Sequence, residues 1–296
     1  MIIARIIGGL GNQMFQYAAS RCLAQRLGVE LKLDITEFLL LEQQNDTPRD
    51  FQLNKLRVEP LIANEQEISN SKYVLENILQ KFLRKRRKQK RIISDTFYKE
   101  PHYHFDQNFF SCKDNTYLYG YWQSEKYFEE IKEILQGELI PVNRLSNKNA
   151  ILAEKISTTN AISIHVRRGD YISNIKTNEY HGACGINYYL SAMEKIASQV
   201  ENPWFFVFSD DIEWGKRHLA TKFNTVFVDH NGSDDACEDL RLMSFCKHQI
   251  IANSSFSWWG AWLNTNQEKI VIVPKKWFAN ASHDIKDLLP DSWVAF

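Results

Sequence analysis

"IIARIIGGLGNQMF" occupies residues 2–15, and its reading sets the fold. Ile2, Ile3, Ile6 and Ile7 make a short apolar run of the kind that fills a fully buried strand. Gly8, Gly9 and Gly11 interrupt it. Met14, Tyr17, Ala18, Cys22 and Leu23 then follow near helical spacing over residues 12–27, and Gly28 supplies a stop. "VELKLDI" (29–35) reads as a second strand. Strand, glycine turn, helix, strand is the opening of an α/β domain. Three glycines within four positions exceed what a chain reversal needs, so the turn is expected to admit something close to the backbone.

Working outward, the second half alternates cleanly. Strands are expected at "AISIHV" (161–166), "WFFVF" (204–208), "TVFV" (225–228), "QIIA" (249–252) and "KIVIVP" (269–274), with helices at 186–199, 212–223, 236–246 and 255–263. Such alternation implies a parallel sheet with helices on both faces. The polar, proline-containing stretch "IPVNRLSNKN" (140–149) places a boundary between an α/β domain at 1–142 and a second at 143–296. In the middle, "YLYGYWQ" (117–123) reads as an aromatic strand, and "KFLRKRRKQKR" (81–91) concentrates eight basic residues.

Composition narrows the function classes. The 296 residues carry 36 basic and 36 acidic side chains, so no global field recruits nucleic acid, and any affinity for anions is local. With 44% hydrophobic residues there is material for real cores. Cys22, Cys112, Cys184, Cys237 and Cys246 are odd in number and contain no CxxC pair, which indicates neither a disulfide framework nor a zinc site and fits a reducing, cytoplasmic location. No apolar run reaches the ~18–20 residues of a membrane span, and the short start "MIIARII" does not read as a signal peptide.

Open parallel sheets bind ligands beyond the carboxyl ends of their strands, and three such ends are unusually polar. The first, "HVRRGD", gathers His165, Arg167, Arg168 and Asp170. Period-2 alternation is expected to turn one arginine toward the ligand and leave the other for a carboxylate. A guanidinium fork suits phosphate oxygens; a structural Arg–Asp network is the bland alternative. The second, "IIANSSFSWWGAW", opens a helix with Ser254 and Ser255, which serve either as an anion cradle or as simple N-caps. The third, "FSDD" (208–211), resembles a metal site in composition, but adjacent strand residues diverge, so one acid is expected to cap the next helix. Asp239 lies near the start of a helix, where it either serves the helix dipole or accepts the N1–H and N2–H of a guanine.

Taken together, "GGLGNQMFQYA" (8–18), "HVRRGDYI" (165–172), "FSDD" followed by Trp214, and "DLRLMSFCKHQIIANSSFSWWGAWL" (239–263) resemble the α-1,2-fucosyltransferase family, in its order and spacing, from Ile2 to about Trp277. The basic middle segment departs most from the family pattern. The resemblance implies an α/β fold of the GT-B glycosyltransferase type, two Rossmann-like domains facing across a cleft, with 1–142 on the acceptor side and 143–296 binding GDP-fucose. It implies inverting transfer of L-fucose to the 2-hydroxyl of a β-galactoside, without an obligatory metal or other cofactor, in surface-glycan or lipopolysaccharide synthesis. The pattern around "HVRRGD", shared with α-1,6- and protein O-fucosyltransferases, assigns Arg167 to the β-phosphate and His165 and Asp239 to the guanosine. Asn253, Ser254, Ser255, Phe256 and Ser257 are assigned to the turn that holds the phosphates. Gly9, Gly11, Asn12 and Gln13 are expected to line the sugar side, Asn12 orienting the attacking hydroxyl. Asp170 is a candidate base, and a leaving-group oxygen is the other.

Three alternatives stand beside this reading. Another fucosyl linkage, of α-1,6 type, would share "HVRRGD". A noncatalytic nucleotide-sugar-binding module would keep the same residues without turnover. A dinucleotide oxidoreductase would use the glycine turn with Asp34 as its ribose acid, although "GGLGNQ" is not GxGxxG. The run 81–91 is either a solvated face or a peripheral contact with anionic lipid at the inner membrane face, where lipid-linked acceptors would be met.

Overall fold

The computed structural model describes residues 1–39, 49–72, 93–94, 96–279 and 284–296, which form two compact units. The basic run 81–91 lies outside the described residues. The first unit comprises Met1–Asn54, Val58–Leu135 and Asp284–Leu288; the second comprises Lys55–Arg57, Gln136–His283 and Leu289–Phe296.

In the first unit six strands, β1 (Ile2–Arg5), β2 (Leu31–Asp34), β3 (Leu61–Ile62), β4 (Ile93–Ser94), β5 (Phe97–Lys99) and β6 (Thr116–Tyr119), form one sheet in the order β3-β2-β1-β6-β5-β4. All neighbours run parallel except β4 and β5. The helix after β1 spans Leu10–Leu27. It begins two residues earlier than the apolar spacing suggests, because Gly9 itself is the extended N-cap. Gly28 ends it in the left-handed region, its N–H donating to Ala24 and Gln25 carbonyls, as a C-terminal glycine should. Residues from Leu10 through Ala24 are buried on most sides of this helix, so it is a core element rather than an amphipathic surface one.

β6 stops at Tyr119, short of the strand expected over 117–123. A Cβ at Gly120 would collide with Glu100 Cβ, and Trp122 adopts φ 56°, so the chain turns sharply here. A buried aromatic cluster holds that turn: the Phe109 ring lies 4.8 Å from Trp122 and 4.9 Å from Tyr127.

The second unit carries β7 (Asn160–Val166), β8 (Pro203–Ser209), β9 (Asn224–Phe227), β10 (His248–Ile250), β11 (Val271–Val273) and β12 (Val294–Ala295). The strand order is β12-β11-β10-β7-β8-β9, parallel throughout, which is the Rossmann order. The five strands and four helices expected from the alternation are all present. The second helix is shorter than expected, Ile212–His218, because Leu219 turns fully into the core.

One sheet face packs Ile162, Ile164, Val207 and Ile250 against Tyr189, Met193 and Ile196 of the helix Ile186–Ala197. Each such side chain contributes roughly 1.5–3 kcal/mol on burial. The tryptophan-rich helix Ser255–Trp262 buries Trp258, Trp259 and Trp262, and it approaches the helix Ala236–Phe245 so closely that a Cβ on Gly260 would reach 3.1 Å from Met243 Cε.

Candidate active site

In each sheet the strand order reverses at one place: between β7 and β10 in the second unit, and between β1 and β6 in the first. Loops leaving the sheet there diverge and open a crevice, which makes these reversals the binding positions of doubly wound folds. Both are occupied by the polar stretches singled out in the sequence.

His165 is the penultimate residue of β7, and Arg167 and Arg168 follow that strand directly. His165 is buried, its ring 5.4 Å from that of Phe256 at the start of the helix after β10, and its Nδ1 finds no hydrogen-bond partner among the described residues. Desolvation holds the imidazole neutral, lowering its pKa to about 4; Asp210 opposes that shift and Arg167 adds to it. A buried, unpaired nitrogen costs ~1–3 kcal/mol, which a ligand partner would recover.

Arg167 Nη1 pairs with Asp210 Oδ2 at 2.8 Å, and its guanidinium carbon lies 5.5 Å from the Tyr171 ring centroid. Arg168 Nε stands 3.4 Å from Asp211 Oδ2 and its guanidinium stacks 4.4 Å over Trp214. The expected division, one arginine for ligand and one for a carboxylate, is therefore corrected: both have an acid and an aromatic face. The two adjacent aspartates do diverge. Asp211 caps the next helix, accepting from Trp214 N at 3.1 Å, while Asp210 braces the arginine turn, its Oδ1 accepting the Arg168 N–H at 2.8 Å. Gly169 is required by this brace, since a Cβ there would come within 2.8 Å of Asp210 Oδ2. Asp170 is the second residue of the short helix Gly169–Ser173, and its side chain lies outside the described residues.

Across the reversal, Ser254 is the N-cap of Ser255–Trp262, its hydroxyl accepting from Phe256 N at 3.3 Å, and Ser255 is partly exposed in the first turn. Free amides at this helix start suit an anion. Ser257 is spent internally on the Ala252 and Ser254 carbonyls. Asn253 is likewise reassigned: its amide donates to His181, Gly182 and Trp277 carbonyls at 2.9–3.0 Å, so the side chain knits loops together rather than facing a ligand. Asp239 sits in the first turn of Ala236–Phe245 and accepts from Asn231 Nδ2 at 2.7 Å. Desolvation raises its carboxyl to about 7, against the Asn231 hydrogen bond and with Asp235 and Glu238 adding repulsion.

In the first unit Gly8 has φ +76° and no room for a side chain, a Cβ there falling 2.9 Å from Asn12 Nδ2. Gly9 differs, because a Cβ on it meets nothing within 4 Å. The protein's own packing does not demand glycine there. Gly11 is buried in the first helical turn. Asn12 Oδ1 accepts from Gln123 Nε2 at 2.8 Å, a bond that spans the β1–β6 reversal. Gln13, expected to touch sugar, is fully buried and joins the Gly8 and Asp50 carbonyls to the Gln52 amide, so it too becomes a loop-holder. Asp34 accepts from the Thr36 amide and hydroxyl and from the Tyr117 hydroxyl, which leaves the ribose acid of a dinucleotide enzyme without a candidate at this position.

Sequence reasoning missed Gln123 and Glu100. Glu100 receives the Tyr121 and Trp122 amides at 2.6 and 2.9 Å, and burial lifts its carboxyl to about 7 despite those bonds. Gly120 was the available signal, a glycine inside a strand pattern marking close backbone approach. Among the described residues no group of three or more His, Cys, Asp or Glu side chains is arranged to hold a metal ion.

Two doubly wound units, each with its polar loops at the strand reversal, define an α/β glycosyltransferase fold of the GT-B type. The chain belongs to glycosyl transferase family 11, whose model matches residues 1–295. It is 36% identical to an Escherichia coli alpha-1,2-colitosyltransferase over 99% of this chain and 98% of that one. It is 34% identical to the Escherichia coli O-antigen biosynthesis glycosyltransferase WbnK over 97% of both chains. A galactoside alpha-(1,2)-fucosyltransferase 1 from Lagothrix lagotricha is 26% identical over 49% of this chain and 42% of its own. In fold, the chain is similar to a mutant of Arabidopsis thaliana FUT1 solved in complex with GDP, with TM-score 0.51 and 12% identity, covering 91% of this chain and 69% of that one.

Proposed function

We propose that this protein transfers L-fucose from GDP-β-L-fucose to the 2-hydroxyl of a β-galactoside, inverting the anomeric carbon, in the synthesis of a surface glycan such as an O-antigen. The observation that carries this reading is full-length membership of family 11 together with 36% identity to a transferase of α-1,2 type. The second unit takes the donor. Asp239 reads guanine, His165 supports the guanosine, and Arg167 with the amides at Ser255–Trp262 receives the pyrophosphate. As the bond to the β-phosphate breaks, charge grows on its oxygens, and donors already aimed there by Asp210 lower the barrier without reorganising. The first unit takes the acceptor, with Asn12 held by Gln123 to orient the sugar hydroxyl. An amide does not titrate, so the proton passes to Asp170 or to a leaving-group oxygen. No metal is assigned a step.

One relative favours a second donor. Colitose is fucose without its 3-hydroxyl, so GDP-colitose fits the same guanine and phosphate contacts. Incubation with lactose and each GDP-sugar, followed by linkage analysis, tests both readings. α-1,2-Fucosyl-lactose from GDP-fucose supports the proposal, and transfer from GDP-colitose alone replaces it. GDP binding without transfer of either sugar leaves a nucleotide-sugar-binding module. Among the described residues no helix is long and apolar enough to cross a membrane. The run 81–91 is proposed as a peripheral contact with anionic lipid, tested by salt-sensitive sedimentation with anionic but not neutral vesicles.

A further inference from the structure

Four side chains in the second unit form a hydrogen-bonded row that ends on Asp239. His230 Nε2 lies 2.6 Å from Asn149 Oδ1 and donates to it, since that oxygen only accepts. Asn149 Nδ2 donates to Asn231 Oδ1 at 3.1 Å, and Asn231 Nδ2 donates to Asp239 Oδ1 at 2.7 Å. These three bonds point the same way, so each amide dipole polarises the next and the row presents its positive end to the carboxylate, while Asn149 also donates on a side branch to Glu238. The middle of the row is well enclosed: Asn149 is 1% exposed. It rises from the helix Asn147–Ser157, an element that carries none of the residues assigned to the donor.

The surroundings of Asp239 otherwise work against its ionisation. Asp235 and Glu238 add negative charge beside it, and it is largely desolvated. Glu238 is drawn toward Arg241 at 3.3 Å, and Lys55 is occupied by the Asp234 carbonyl at 2.9 Å, so neither cation is directed at Asp239. At the far end of the row, Asp229, the neighbour of His230, is paired with Lys216 at 2.9 Å. Asn231 is thus the donor that opposes the local repulsion.

We propose that Asn231, backed by Asn149 and His230, is a positioning set for base selectivity: the row holds Asp239 ionised and oriented to accept both guanine N–H groups. This rests on the guanine reading of Asp239. It assigns specificity work to three residues that do not touch the nucleotide.

The test is the ratio of affinities for GDP and inosine 5′-diphosphate, measured by calorimetry from pH 6 to 8.5. Both ligands share the diphosphate, so its titration and that of groups near it cancel; only the exocyclic amine differs. The wild-type protein should prefer GDP, with the preference fading as pH falls through the Asp239 transition. Asn231→Ala should shift that midpoint upward by about one pH unit while restoring most of the preference at pH 8.5. His230→Phe, which removes the first donor at a partly exposed position, should give a smaller shift of the same sign. A variant that loses preference equally at all pH values, or a midpoint that does not move in either variant, overturns the row. Asp239→Asn is the separate control. If it leaves the GDP preference intact, the guanine reading fails and takes the row with it. If it abolishes the preference while Asn231→Ala leaves the midpoint alone, only the row fails.

Discussion

Asp210 holds Arg167 by the side chain and Arg168 by the backbone: one carboxylate oxygen lies 2.8 Å from Arg167 Nη1 and the other accepts the Arg168 N–H at 2.8 Å. A single acid thereby fixes both the direction of a guanidinium and the turn that carries it. Arg167→Lys should lose nearly all transfer, because a point charge replaces a planar fork and cannot keep both the acid and the phosphate. The loss should fall on kcat rather than KM, since the contact strengthens as charge develops. Steady-state kinetics showing half the wild-type turnover would remove Arg167 from the leaving-group role.

Asp210→Asn offers a contrasting case. Its amide can still accept the Arg168 N–H through one oxygen, while the nitrogen repels the guanidinium. Turnover should drop at least tenfold with folding preserved, because the pair is partly solvated and such pairs contribute only ~0–1 kcal/mol to stability. Circular dichroism melts and single-turnover rates check the two halves of this expectation.

The two glycines at the start of the first helix should behave oppositely. Gly8→Ala forces a side chain into the left-handed region and against Asn12, costing ~1–2 kcal/mol or more of stability. Gly9 has φ −75° and open space around its missing Cβ, so Gly9→Ala should change the melting temperature little, the stiffer unfolded chain offsetting alanine's poorer fit at the N-cap. If substrate approaches that backbone, activity should nonetheless fall at least tenfold. Unchanged kinetics in Gly9→Ala would place the acceptor elsewhere.

Proton linkage gives a pH profile for the unliganded protein. Asp239 and Glu100 are raised to about 7 from 3.8 and 4.5, so the folded state holds more protons than the unfolded one between those limits. Their contribution is present at low pH and is lost as pH rises to about 7. His165, lowered to about 4 from 6.5, acts in reverse: its contribution is present above 6.5 and lost as pH falls toward 4. Asp239→Asn should therefore raise the apo melting temperature at pH 8 and change it little at pH 4, while weakening GDP binding about 5- to 150-fold through a mispaired buried group, ~1–3 kcal/mol. Differential scanning calorimetry at the two pH values is the check.

Chelation tests the assignment of the FSDD acids. With Asp211 capping a helix and Asp210 bracing arginine, EDTA should leave most of the rate intact. Turnover abolished by EDTA and restored by Mg²⁺ would return the pair to a metal.

Much of the second unit was legible because strands that are covered on both faces read as apolar runs: "WFFVF" is continuous, and "AISIHV" is broken only by the small Ser163 and by His165, which belongs to the site. Their carboxyl ends also announced the polar loops. What side-chain type could not convey was commitment: Gln13 and Asn253 look like ligand amides in one dimension, and only the three carbonyls around Asn253 show that its donors are spent. Gln123 stayed hidden for another reason. The aromatic alternation of 117–122 is a strand pattern, and it is the Glu100 carboxylate, seventeen or more residues away, that breaks it.

The membership of the two units has a consequence for how the protein is made. Asp284–Leu288 completes the first unit, where Asp287 receives the Phe105 amide at 3.0 Å and Lys126 at 2.5 Å, and Leu289–Phe296 supplies the edge strand of the second. Conversely, Lys55–Arg57 belongs with the second unit, Arg57 N donating to the Ile140 carbonyl at 2.8 Å. A ribosome that has delivered the first 142 residues has therefore delivered neither unit whole. Each waits for sequence from the other's half, so no single cut between them yields two independently expressible halves: the first sheet has all its strands by Tyr119 but lacks the Asp287 contacts, and the second lacks its edge strand until Val294–Ala295 is made.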